Sequence, residues 1–424
     1  MPAAIRGRRN DLIEMIPGAR TNFLRIRKPH EHSKVTFVEL FFDLVFVFAI
    51  TQLSHYLLEH FSAAGILQTA LMLMAVWWVW IYTSWFTNWL DPQTTPVRIV
   101  VFTLMLAGLV LSISIPDAFG SRGESFAAAY ALMQVGRCLF MLWALRRHNP
   151  GNYLNFQRIT CWFLLSALFW IGGAFANGEL RFAMWVLALA IDYAAPSCGF
   201  WTPGLGRSRT SDWDVEGTHL AERCGLFIII ALGESILVAG ATFARMDWTL
   251  VTAAAFLSAF VGSVAMWWIY FNIGAERASE HIAASGDPGR LARVAYTYTL
   301  LLPVAGIIVT AASDELVLTH PLGHTDFKTA ATTLVGSALF LTGNLIFKRI
   351  LAGSRTLSHM VGLGLLVLLA PAALIVPPLA FGAAASAILV IVAIWETRSL
   401  GGHVAAAAHP GKTSRRKQGA RAKN

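Results

Sequence analysis

Apolar residues in this chain fall in long, nearly unbroken runs, with turn and charged residues confined to the gaps between them. A helix needs about 20 mostly apolar residues to cross a bilayer. Twelve runs meet or approach that length, at roughly 38–58, 64–86, 97–115, 126–145, 160–176, 182–200, 221–243, 249–271, 294–313, 329–347, 357–377 and 380–396. The fifth and twelfth are short, and Pro371 interrupts the eleventh. This pattern predicts an all-α integral membrane protein with about twelve transmembrane helices.

Polar and aromatic landmarks recur in the same order in both halves. Glu39 opens the first run as Glu222 opens the seventh, and Trp77-Trp78-Val79-Trp80 closes the second as Trp267-Trp268 closes the eighth. Val135-Gly136 in the fourth run matches Val335-Gly336 in the tenth, and Asp192 lies near the counterpart of Glu396. Six spans per half gives both halves the same orientation, so the expected plan is two parallel six-helix repeats, an arrangement found in transport proteins. The domains this predicts are a basic cytoplasmic tail over 1–36, a first repeat over 37–200, a cytoplasmic linker over 201–220, a second repeat over 221–397 and a basic, disordered cytoplasmic tail over 398–424.

Composition agrees with the run pattern. The chain is 56% hydrophobic and 13% charged, where a soluble domain carries about 25% charged residues. A net charge of +9 suggests nucleic acid in a soluble protein, but here its placement decides. With twelve spans and a cytoplasmic N-terminus, only Arg122, Arg181, Arg245 and Lys328 fall in outside loops, and Arg137 lies within a span. The other 28 of the 33 Lys and Arg residues lie inside, as the positive-inside rule requires. The basic charge is therefore expected against the inner leaflet, with both termini cytoplasmic and no nucleic-acid partner. Cys138, Cys161, Cys198 and Cys224 form no CxxC pair, so neither a disulfide framework nor a zinc site is indicated. No cleavable signal peptide is visible, and Leu12 to Ile16 reads as a short amphipathic segment. Gly-x-Ser-x-Gly, His-Glu-x-x-His and Walker A patterns are absent, so no enzyme, cofactor or metal is expected.

Acids at bilayer depth are costly and usually functional. Glu39 and Asp43 stand four residues apart, on one face of a helix. At about 1.5 Å per residue, Asp43, Arg137 and Asp192 fall in the same inner half of the bilayer, while Glu234 falls near its midplane. Two readings stay open for these groups: a proton or monovalent-cation path, or salt bridges that lock helices together. Asp43, Glu234, Asp192 and Glu39 are candidates for the path, with Gln52 and His55 as its extension in the outer half of the first span. Arg137, Glu222 and Arg223 are candidates for structural charge partners, the last two near the interface, where snorkelling makes charge cheap. His219 reads as a loop residue, and the Trp and Tyr clusters as interfacial belts.

Three stretches also carry a family likeness: Val38-Glu39-Leu40-Phe41-Phe42-Asp43-Leu44, His219-Leu220-Ala221-Glu222-Arg223-Cys224-Gly225, and Trp267-Trp268-Ile269-Tyr270-Phe271. In type, order and spacing the chain resembles the bacterial low temperature requirement A family over roughly residues 30–400, with Cys224 where an aromatic is expected. The resemblance implies a multi-pass protein of the bacterial plasma membrane. A weaker likeness, through Phe42-Asp43 and Thr51, connects the first span to the endolysosomal-type potassium channels; their motif serine is missing here, and the seventh span has no matching Asp. Taken together, the expected function is a transporter or channel for a proton, cation or small solute. The alternative is a non-transporting membrane protein supporting membrane adaptation or partner assembly.

Overall fold

A computed structural model describes residues 22–25, 34–209, 215–272, 288–352 and 356–408, with side chains as far as residue 399. The segment Leu12 to Ile16 lies outside the described residues. Long helices account for nearly all of the described chain: α1 (Phe37–Glu59), α2 (Ala63–Trp89), α3 (Thr95–Asp117), α4 (Gly123–Leu145), α5 (Pro150–Ala174), α6 (Gly178–Ser197), α7 (Gly217–Ala244), α8 (Leu250–Phe271), α9 (Gly289–Thr319), α10 (Phe327–Ala352), α11 (Leu357–Leu374) and α12 (Pro378–Ala408). Eleven of these twelve are long and apolar enough to cross a membrane on length and composition alone. The exception is α6, a 20-residue helix whose apolarity is diluted by Glu179, Arg181 and Asp192.

Boundaries follow local chemistry. Thr36 and Glu39 form a capping box at the start of α1, each side chain serving the other's backbone N–H, so two of the donors left over at a helix start are satisfied. Asn149 accepts from the Asn152 N–H at 3.1 Å, and Pro150 fills the first turn of α5. That helix therefore starts ten residues before the predicted run at 160; polar Asn152, Asn155 and Arg158 hide its first turns from a hydropathy reading. The α7 helix starts at Gly217, within the expected linker, and α12 continues beyond 397. Lys348, expected in a loop, lies inside α10 and is buried. Its ammonium pairs with Glu396 of α12 at 2.6 Å and donates to the Ile269 carbonyl at 2.8 Å.

The two sets of six helices pack in a common order. The first helix of each lies against the second and third, the third against the fourth, the fourth against the fifth, the fifth against the sixth, and the sixth against the second. Between the sets, α1 packs on α7 and α9, and α2 touches both. The core thus centres on α1, α2, α7 and α9, with Trp77, Trp78 and Trp80 fully enclosed. These rings are not an interfacial belt. Trp77 donates to the Thr297 carbonyl at 2.7 Å and Trp85 to the Thr297 hydroxyl at 3.1 Å, tying α2 to α9. Trp267 and Trp268 are 44% and 42% exposed, as belt residues would be.

The tightest helix pair is α9 on α10. A Cβ added at Gly306 would stand 2.5 Å from the Phe340 backbone nitrogen, and one at Gly336 would stand 2.8 Å from that of Thr310. Small residues of this kind allow backbones to approach where lipid gives no hydrophobic drive between helices. Gly306→Val should therefore force the pair apart and cost at least about 2 kcal/mol, as overpacking does. Gly364→Ala, which meets nothing within 4 Å, should leave stability unchanged. Thermal unfolding of the purified protein would read both.

Candidate functional site

The α1 capping box points Glu39 back toward the helix start, and one turn later Asp43 faces the same side, toward α7. Both are 0% exposed. From α7, Arg223 reaches across and clasps the two carboxylates. Its Nη2 lies 2.6 Å from Asp43 Oδ1 and its Nη1 3.3 Å from Glu39 Oε1. The guanidinium also lies 5.8 Å from the Trp80 ring centroid, and Trp80 Nε1 donates to Asp43 Oδ1 at 2.8 Å. On the other side of Glu39, Arg25 approaches both carboxylate oxygens at 3.4 Å.

His219 completes this cluster, and its tautomer follows from its neighbours. Asn88 is oriented by Glu216, whose N–H donates to Asn88 Oδ1 at 3.1 Å and whose carbonyl accepts from Asn88 Nδ2 at 2.9 Å. Asn88 therefore offers a donor to His219 Nδ1 at 3.2 Å. The imidazole proton then sits on Nε2 and is given to Glu39 Oε1 at 2.9 Å. With His219 neutral, Glu39 and Asp43 balance Arg223 and Arg25. A buried cluster needs this balance, because an unpaired charge in a dry interior is strongly destabilising.

Two expectations are corrected here. Arg223 does not snorkel and His219 is not a loop residue: both are 0% exposed. Residues 22–25, Thr36 and the turn before α7 fold over the helix ends and remove them from the interface. Backbone bonds from Arg25 N to the Trp89 carbonyl and from Asp91 N to the Phe23 carbonyl, both 2.9 Å, hold that cover. Glu222 stays exposed and accepts from the Val35 N–H at 3.2 Å.

The other candidates separate into different places. Asp192 of α6 accepts from Tyr130 of α4 at 2.6 Å and from Trp170 of α5 at 3.4 Å. Arg137 bonds to Gln134, to the Thr83 hydroxyl at 3.1 Å and to the Val79 carbonyl at 3.4 Å, beneath the Tyr82 ring. Among the described residues, no carboxylate lies within 4 Å of it. Arg137 is thus held by neutral dipoles rather than by the salt bridge expected of a structural charge partner, and Asp43 and Asp192 do not share a site.

Glu234 belongs to a third place, two turns along α1 from Asp43. It is buried at 5% exposure and accepts from the Thr51 hydroxyl at 2.5 Å, across the seam between the two sets of six helices. His55, one turn beyond Thr51, is exposed and within electrostatic reach of Glu234; Gln52 beside it is half-buried. The neighbour of Glu234, Ser235, bonds to the Ser263 hydroxyl of α8 at 3.3 Å and lies within reach of Asp314 of α9. The ninth apolar run ends at 313, but α9 continues past it and contains Asp314, whose Oδ2 is buried without a partner among the described residues. The only sequence signal for it was its position next to Ser313 at the end of an apolar run.

The sequence model described as "Bacterial low temperature requirement A protein (LtrA)" matches residues 34–394. The chain is 41% identical over 377 residues to "Uncharacterized protein RA0937" of Rhizobium meliloti (strain 1021), covering 89% of this chain and 92% of that protein. No solved structure matches.

If Arg223 is the common partner of both acids, Arg223→Gln should leave two buried carboxylates with Arg25 alone. The expected loss is about 3–5 kcal/mol, read as a lower unfolding temperature. Adding Asp43→Asn to that variant should cost less than Asp43→Asn costs in the parent, giving a non-additive cycle.

Proposed function

Because this chain belongs to the bacterial low temperature requirement A family and is a multi-pass helical membrane protein, we propose that it moves a proton or monovalent cation along the seam between its two halves. The observation that carries this reading is Glu234. It is a buried carboxylate whose hydrogen bond, among the described residues, is to the Thr51 hydroxyl, and the residue after it, Ser235, lies within reach of Asp314, whose Oδ2 is buried without a partner among those residues. An acid at membrane depth without a fixed cation is free to bind a mobile one. The seam also runs where the two halves would rock against each other if they are duplicated units, as in transporters built from repeats. The matching order of helix packing in the two sets supports that duplication.

In this reading the Glu39–Asp43–Arg223–His219 cluster is the closed end of the path. Its charges are already balanced, and it holds α1 against α7. We place that end at the cytoplasmic face of the plasma membrane, on the distribution of Lys and Arg.

The charge balance within the same cluster favours a second reading, in which the acids only bind helices together in a non-transporting membrane protein. Proton and potassium flux into proteoliposomes separates the two. The parent should conduct above empty liposomes, and Glu234→Gln should lower flux at least tenfold while folding normally. Asp43→Asn should lower stability more than flux per folded molecule. Absence of parental flux, or parental flux in Glu234→Gln, removes the transport reading. The orientation is tested with a membrane-impermeant maleimide: Asp326→Cys should label in intact cells, and Arg207→Cys only after lysis.

A further inference from the structure

A cavity of about 30 Å³ lies among α2, α4, α5, the end of α6 and the start of α9, away from Glu234. That is space for one water-sized species. Its walls are mostly aromatic, including Tyr82, Trp85 and Trp89, but two arginines face it, Arg137 and Arg293.

Neither arginine has a carboxylate within 4 Å among the described residues. Arg137 is 2% exposed, with only neutral partners. Arg293 donates from Nη1 to the Pro196 carbonyl at 2.5 Å, while its Nε is buried and unpartnered. An acid in electrostatic reach of Arg137 is Asp192, already committed to Tyr130 and Trp170. One acid at a distance cannot balance two guanidinium groups, and arginine does not shed its proton.

The backbone is adapted at the same spot. Residues Leu132–Gly136 of α4, just before Arg137, and Arg293–Thr299 of α9 are both π-helical, a local widening common at functional sites. Thr297, which also lines the cavity, accepts from Trp85 Nε1, so its own O–H proton is available to a ligand.

We infer that this cavity binds one small inorganic anion of chloride size between Arg137 and Arg293, with the Thr297 hydroxyl as a further donor. The volume excludes larger organic acids, and the aromatic walls suit a weakly hydrated halide better than a phosphate. The bound ion supplies the negative charge that the two arginines lack among the described residues, and joins α4 to α9 where the two halves meet.

The test is equilibrium binding of radioactive chloride to the purified full chain in gluconate buffer. The parent should bind about one ion per chain saturably, and Arg293→Gln, checked for folding by size exclusion, should weaken binding at least tenfold. No saturable binding in the parent overturns the proposal, as does parental affinity in the folded variant. Crystals of the parent soaked in bromide locate the ion without any substitution. An anomalous peak between Arg137 and Arg293 supports the site, and bromide found only elsewhere, or nowhere, overturns it.

Discussion

Arg223 holds two carboxylates of α1 from one position on α7, with contacts of 2.6 and 3.3 Å, and the surrounding structure keeps that clasp dry. Water would weaken each pair by screening it, while dryness makes each strong and makes any missing partner expensive. The capping box aims Glu39, Trp80 donates to the same Asp43 oxygen that Arg223 holds, and the Asn88–Glu216 exchange sets the His219 tautomer. The cover formed by residues 22–25 closes the top. Each of these is a local bond whose purpose becomes visible only around the guanidinium.

The same logic separates the polar places along the membrane. Where charges are balanced, as around Arg223 and between Lys348 and Glu396, they hold helices together. Where, among the described residues, an acid is hydrogen-bonded to a neutral hydroxyl, as Glu234 is, or cations have no carboxylate within 4 Å, as with Arg137 and Arg293, a mobile ion can complete the site. Balance, rather than burial alone, distinguishes a lock from a binding site here. Close packing does the remaining work: α9 and α10 approach through Gly306 and Gly336, where no charge is involved.

Much of the architecture was legible in the chain. Long apolar runs, the Trp-rich ends and the family stretches pointed to the helices, their number and the family. The misplacements have a common cause. Hydropathy reads polar residues near the end of an apolar run as its boundary, so it puts Lys348 in a loop, starts α5 ten residues late and sets Arg223 and His219 at an interface. Trp77, Trp78 and Trp80 looked like a belt because the belt explanation needs only ring chemistry and position. Their donation to Thr297 and Asp43 depends on helices distant in sequence, and no local pattern encodes it.

Composition and periodicity by themselves determined that this chain is a bundle of membrane-crossing helices with acids at depth, because burying that much apolar surface around so few charges leaves no other stable arrangement. Which acid meets which base was decided by tertiary structure alone. Asp43 and Arg223 are 180 residues apart, and Asp43, Arg137 and Asp192 share a depth without sharing a site. Depth is a property of one helix, read along its own sequence, whereas partnership depends on the rotation and neighbours of every helix, which only packing sets.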